Sequence, residues 1–436
     1  MLDPLMPARI QIGIAMSVAI LFASLAVALG WMLLFFALKH ERTGEPGWRQ
    51  AHALWSKVFA LAFALAAIGG AAAAMQIETN WPGFSATAGQ MAAALLPRDL
   101  LGALFVAEIA LIGIMLVGAG RVPRRALAAA TGLAALAATA LAVPFVALAS
   151  WMQTPAGFRM KGAAAVPTDL VAAFLNPSFP YRLAHMLIAA GLTTAFLVAG
   201  FCALRHLAGD RSPANRLALR SGVALAAMLV PAQMLSGYLH GQNTLLYQPA
   251  KIAAIEANWN SRGHAPLVLF AWPDEETREN RWELSIPSGV SLILRHEADG
   301  VVAGLDNYRG EHPPVLPVFL AFRVMVGIAL LMAIVAWPAA FFLFRRDALP
   351  PLLARALVPM AASGWVATVA GWLVAEIGRQ PWLVADLARM KDAAATAWSL
   401  RTALSLGGGV LLSVVLAGVF LAALHRLAME PPARET

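Results

Sequence analysis

A single cysteine, Cys202, in 436 residues excludes a disulfide framework, a thiolate-held zinc or iron–sulfur centre, and the C-x-x-C-H attachment of a c-type haem. Charge is scarce too: Asp, Glu, Lys and Arg supply 13% of the chain, against about a quarter in soluble domains. There is no glycine-rich phosphate loop, no H-E-x-x-H and no internal repeat, which argues against nucleotide hydrolysis, a zincin-type metal site and a repeat-built transporter. The net charge of +8 reports Lys and Arg in the loops that flank membrane spans and does not imply a nucleic-acid partner.

What the chain has instead is apolar length. Hydrophobic residues make up 60% of it, and a span needs roughly 20 apolar residues to cross roughly 30 Å of hydrocarbon. Nine stretches qualify, near 11–38, 53–75, 100–119, 126–150, 183–204, 217–237, 317–343, 357–376 and 402–424. The expected fold is an all-α integral membrane protein of about nine transmembrane helices: 1–237 with six of them, a long polar outer loop at 238–316, and 317–436 with the last three. The first stretch is too long for a signal-peptide core and has no small-residue cleavage site behind it, so a retained helix is predicted. Ala- and Gly-rich runs such as Ala64–Ala74 let helices approach closely where lipid offers no hydrophobic drive. Placing the N-terminus outside and the C-terminus inside puts sixteen Lys and Arg in inner segments and nine in the short outer ones, the asymmetry that membrane insertion favours. The long loop carries Gly/Pro/Asn punctuation and an acidic run at Asp274–Glu276, with no hydrophobic period strong enough to predict a core of its own.

Of nine histidines, His185 alone falls within an apolar stretch. Polar groups in hydrocarbon are costly and tend to be functional. A neutral imidazole facing a bundle interior suits axial ligation of haem iron, with methionine as a common opposite ligand, and Met325 lies at a similar depth. A packing histidine, and methionine as core filler, are the alternatives that the residues alone leave open. Intramembrane carboxylates need a partner, a cofactor or a proton path. Glu108 lies mid-way along the third stretch, Asp99 at its outer start and Glu376 at the outer end of the eighth. Glu376 either pairs with Arg379, three residues on, or acts as a weak iron ligand or proton donor while Arg379 neutralises a haem propionate. Arg323, two residues before Met325, is either a propionate partner or a side chain snorkelling from a helix end. Glu108 aside, these residues gather in the outer halves of their spans beside the long loop, which predicts a polar, cofactor-sized layer at one face.

The run Gly378-Arg379-Gln380-Pro381-Trp382 resembles a hallmark of subunit I of cytochrome bd-type quinol oxidases. The segments Ser150–Gly157, Leu175–His185, His240–Thr244 with Gln248–Glu256, and Ala321–Met325 look like the same family, closest to its cyanide-insensitive branch with a short quinol loop. The resemblance runs from about residue 9 to 382. It implies that His185 and Met325 are the axial metal ligands of a low-spin haem b, that Lys251 and Glu256 bind and oxidise quinol, and that Glu376, Arg379 and Trp382 stand at one or two high-spin haems, of b or d type, where oxygen is reduced to water. It further implies an oxidase subunit II, a small single-span subunit, and a place in the bacterial inner membrane.

Departures from the family are as informative. A helix-one histidine that ligates a high-spin haem in the family aligns with Ala19, and the first stretch has no histidine. The family's two helix-three glutamates, eight residues apart, align with Asp99 and Ala107; Glu108 is one place on, and one residue turns a helical position by roughly 100°, so Glu108 is expected to face elsewhere. The family's Gly-Thr-Asn-Trp reads Glu78-Thr79-Asn80-Trp81. Two functions are therefore expected in competition: a quinol-oxidising terminal oxidase subunit, or a divergent paralogue that binds haem b for electron transfer with a lost or altered oxygen site.

Overall fold

The computed structural model describes residues 5–118, 120–394 and 400–430; Arg434 and the side chain of Arg401, both used in the orientation argument, lie outside the described residues. The chain opens with α1 (Leu5–Thr43), α2 (Pro46–Asn80), the short α3 (Pro82–Leu95), α4 (Arg98–Val117) and α5 (Arg124–Trp151). A strand pair, β1 (Phe158–Lys161) and β2 (Ala164–Pro167), and the short α6 (Leu170–Phe174) lead to α7 (Phe179–Leu207) and α8 (Pro213–Tyr247). The long loop holds α9 (Pro249–Ile255), an antiparallel hairpin of β3 (Leu267–Asp274) and β4 (Glu279–Ile286), and α10 (Gly289–Arg295). Then come α11 (Val315–Arg345), α12 (Pro351–Met360), α13 (Ser363–Ile377), β5 (Trp382–Val384), β6 (Ala388–Arg389), α14 (Met390–Ala393) and α15 (Leu400–Met429).

Among the described residues nine helical units are long and apolar enough to cross a membrane: α1, α2, α4, α5, α7, α8, α11, α12–α13 and α15. They coincide with the nine apolar stretches of the sequence. α7 is the central one, since 78% of its apolar window is buried against only 11% for α15. Small residues set its contacts. A Cβ on Gly364 would lie 2.3 Å from Thr193 Cα, and one on Gly200 would lie 2.5 Å from Leu357 O, so α12 and α13 meet α7 backbone to backbone.

The breaks in the helices follow from proline. Pro231 has no N–H for the carbonyl four residues earlier, and that carbonyl, Ala227 O, accepts from Trp337 Nε1 at 3.2 Å; the hydrogen bond missing within the continuous α8 thereby becomes a tie to α11. The eighth span divides after Pro359, where Ser363 Oγ donates to Met360 O at 2.6 Å and satisfies a carbonyl freed by the break. At the end of the bundle remote from the long loop, Arg205 donates to Asp210 Oδ2 and to Leu427 O, each at 2.7 Å, fastening α15 to α7. Burial alone would raise the Asp210 pKa, but hydrogen bonds from Ser212 and Arg205 outweigh it and hold the carboxyl below its ordinary value.

The loop departs from the sequence reading. α8 runs to Tyr247, ten residues beyond the expected end of its span at 237, and the loop is folded. Ile252, Ile255, Trp259, Val268 and Leu305 form one buried cluster with Val315, Val318 and Phe319 of α11. No separate core was legible because the loop shares the core of the helix beneath it.

Candidate functional site

The start of α7, the end of α8 with α9, the start of α11 and the end of α13 converge under the loop. α7 begins at Phe179 with Pro180 in its first turn, where a missing N–H costs nothing. Arg182 and His185, three residues apart, consequently share a face. His185 faces α8. Its Nε2 lies 3.0 Å from the Gln233 side-chain amide, and its ring stands edge-on to His240 with centroids 5.5 Å apart. Gly237 lies under the ring, where a Cβ would make ordinary van der Waals contact, 3.5 Å from His185 Cε1. Among the described residues His185 Nδ1 has no hydrogen-bond partner. Met325 faces α13, where a Cβ on Gly371 would lie 2.8 Å from its Sδ.

Lys251 and Glu256 do not sit in open water as an outer loop suggested: they are 4% and 9% exposed. α9 begins with Pro249 and drives Lys251 under the loop, where its ammonium donates to Gln153 Oε1 at 2.5 Å, Gln248 Oε1 at 2.6 Å and Ala375 O at 3.2 Å. Its stem lies on the motif glycine, since a Cβ on Gly378 would be 2.9 Å from Lys251 Cγ. Burial, with the guanidiniums of Arg182 and Arg379 nearby, holds the Lys251 pKa well below the ordinary lysine range, and Glu376 opposes this in part. Three acceptors satisfy the charged form while desolvation and two cations disfavour it; the amine is therefore poised to change protonation.

Arg323 is held by the loop above it. It pairs with Glu256 at 2.8 Å, donates to Val268 O at 2.6 Å and lies over the Phe319 ring, 4.6 Å from its centroid, so it clamps α9 and β3 to α11. Glu376 and Arg379 form the local pair that the sequence allowed, at 2.5 Å. Arg379 is nevertheless 5% exposed, and its Nε and Nη1 have no partner among the described residues, nor has Arg182 Nε. Arg182 interacts electrostatically with Glu376, Arg379, His185, His240 and Lys251. Sequence reasoning missed it; its position one turn before His185 was the available signal. It also passed over Gln153, Gln233 and His240. Trp382 is stacked by the Arg389 guanidinium, 4.9 Å from its ring centroid, and opens β5.

α4 carries no bulge, so Ala107 and Glu108 face different ways. The helix is uninterrupted from Arg98 to Val117, Ala107 is exposed, and Glu108 is fully buried. Glu108 thus faces the bundle, on one stripe with Ile112 and Met115, and both its carboxylate oxygens lack partners among the described residues. Asp99 is exposed and, nine residues earlier, about half a turn round the helix from Glu108; the two do not converge.

A haem fits one part of this arrangement. An imidazole with an unpaired nitrogen and a thioether are the donor set of a low-spin centre. Buried guanidiniums with unmet donors strongly favour anionic partners such as propionates. The helix-one position does not fit a histidine-ligated high-spin haem: Ala19 has no donor, and α2 closes on it where a Cβ on Gly69 would lie 3.3 Å from Ala19 Cα. Among the described residues no group of three or more His, Cys, Asp or Glu is placed to hold a metal ion.

The chain is similar to known proteins over most of its length. The family model described as cytochrome bd terminal oxidase subunit I matches residues 7–432. The fold superposes on the bd oxidase structure from Geobacillus thermodenitrificans with a TM-score of 0.89 at 28% identity, covering 98% of both chains. The chain is 26% identical over 399 residues to a cytochrome bd ubiquinol oxidase subunit 1 of Bacillus subtilis, covering 88% of this chain and 85% of that one. It is 25% identical over 441 residues to a cytochrome bd-II ubiquinol oxidase subunit 1 of Escherichia coli, covering 84% and 85%.

Proposed function

The chain belongs to the cytochrome bd terminal oxidase subunit I family, and on that premise we propose that it is the haem-bearing, quinol-oxidising subunit of a respiratory oxidase of the bacterial inner membrane. It works there with a second subunit, and with a small single-span one. In the proposed orientation the long loop faces outward. The observation that carries the reading is the buried cluster under that loop: Lys251 held by Gln153, Gln248 and Ala375 O, beside Arg182, Arg379 and His185.

Oxidising a quinol requires acceptors for two protons as well as two electrons. Lys251 in its neutral form takes a proton from the quinol hydroxyl, which the depressed pKa allows at a pH where an ordinary lysine is charged. Glu256, held by Arg323, relays protons outward. His185 and Met325 would hold a low-spin haem b, with Arg182 and Arg379 available to its propionates; that group would supply the one-electron chemistry that side chains lack. Glu108, buried with both carboxylate oxygens unpartnered among the described residues, is the candidate to pass protons towards the oxygen-reducing side, and Glu376 remains the candidate protein ligand for a high-spin iron there. A second reading, a paralogue that transfers electrons through haem b with an altered oxygen site, is favoured by Ala19.

Quinol turnover is expected to fall as pH drops through the Lys251 pKa, because the ammonium cannot accept a proton. Lys251→Met should lower turnover about 100-fold, or ~2.7 kcal/mol of transition-state stabilisation, with haem content unchanged. Steady-state quinol oxidation across pH checks both. A variant that keeps the wild-type rate and pH profile would remove the loop from the reaction.

A further inference from the structure

On an exposed side of the bundle, away from the site above, α1 and α5 separate to leave an open groove of about 550 Å³, within the size range of ligand sites. Its floor is made of small side chains. On α5, Arg125, Ala129, Gly132, Leu133 and Leu136 line it, a helical stripe of one face, and Leu34 of α1 rests against Gly132, where a Cβ would meet it at 3.4 Å.

The two ends of the groove differ in kind. One is closed by Trp31, whose Nε1 donates to Thr139 Oγ1 at 3.1 Å and so ties α1 to α5 across it. The other ends at Glu41 and Arg125, paired at 3.2 Å with the Arg125 side chain 91% exposed. Trp31 and Glu41 are ten residues apart, roughly 15 Å along the helix, which matches one leaflet of a hydrocarbon core of about 30 Å. A transmembrane helix would need the whole thickness; a groove closed at mid-depth suits an acyl chain. The charged mouth is rich in basic residues in sequence: Lys39 and Arg42 flank Glu41 on α1, and Arg124 precedes Arg125 at the start of α5, where the Arg124 guanidinium would lie 3.1 Å from a Cβ on Gly44. An ion pair this exposed is worth little, so the Arg125 guanidinium stays available to a phosphate, which it matches in geometry. Basic pockets between membrane helices are known to take anionic headgroups.

We propose that this groove is a binding site for one anionic phospholipid, with an acyl chain between Trp31 and Leu38 and its phosphate at Arg125. In the orientation proposed above the lipid comes from the inner leaflet; the site itself does not depend on the quinol reading.

Native mass spectrometry of the detergent-purified complex, loaded with phosphatidylglycerol or with phosphatidylcholine, tests it. The wild type should retain one phosphatidylglycerol per subunit I with at least tenfold preference over phosphatidylcholine. Arg125→Glu should abolish the preference, and Ala129→Trp, on the exposed floor, should abolish retention of either lipid, with the haem spectrum unchanged in both. The proposal is overturned by equal retention of the two lipids, by retention unchanged in either variant, or by a single-span polypeptide that is lost from the complex in Ala129→Trp in place of lipid. Failure of these results would leave the quinol reading intact, since that is read by turnover.

Discussion

His185→Ala is expected to abolish the sharp low-spin haem b band in a reduced-minus-oxidised spectrum, while the chain still inserts in the membrane. The substitution removes an iron donor, and neighbours that orient a ligand do not replace it. The structure adds one refinement. His240 stands 5.5 Å from His185, ring to ring, and offers an imidazole on the same side; a residual, shifted band in His185→Ala should disappear in the double variant His185→Ala/His240→Ala. Met325→Leu should likewise lose the low-spin signal, because the thioether is replaced by an apolar side chain of similar volume. An unchanged spectrum in His185→Ala would sink the assignment.

The other large effect concerns haem content. Ala19 supplies no donor, and α2 has closed on α1 at Gly69, so the complex is expected to hold fewer than three haems per subunit I. Haem extraction and counting against protein, with the spectrum deciding whether a d-type chlorin is present, checks this. Three haems with a histidine-ligated high-spin centre would contradict it. Glu376, tied to Arg379 at 2.5 Å, would have to exchange that partner for iron, so a high-spin centre that does form should bind cyanide weakly.

The spans were readable because length and apolarity alone decide them. The loop was not, since Ile252, Val268 and Leu305 bury themselves against Phe319 of α11, a partnership no local pattern records. The same holds for Lys251. Its acceptors Gln153 and Ala375 lie 98 and 124 residues away in sequence, so an apparently aqueous lysine proves to be buried. The role of Gly378 was hidden for that reason too: the motif marked the place, but only the fold shows the Lys251 stem lying on it. The direction of Glu108 is set by its own helix, where Glu108, Ile112 and Met115 define the inward face. Tertiary ties such as Trp337 to Ala227 O depend on which carbonyl a proline frees, and on which helix stands opposite.

The claim at the centre of this account is that quinol, bound beneath the loop, delivers electrons to the haem held by His185 and Met325. Anaerobic mixing of the oxidised complex with a reduced quinol, followed at the low-spin haem b band, tests it most directly. The account predicts rapid reduction in the wild type, and in Lys251→Met a reduction about 100-fold slower with the same final amplitude on adding dithionite. A wild-type haem that dithionite reduces and quinol does not, or a Lys251→Met complex reduced at the wild-type rate, would contradict it.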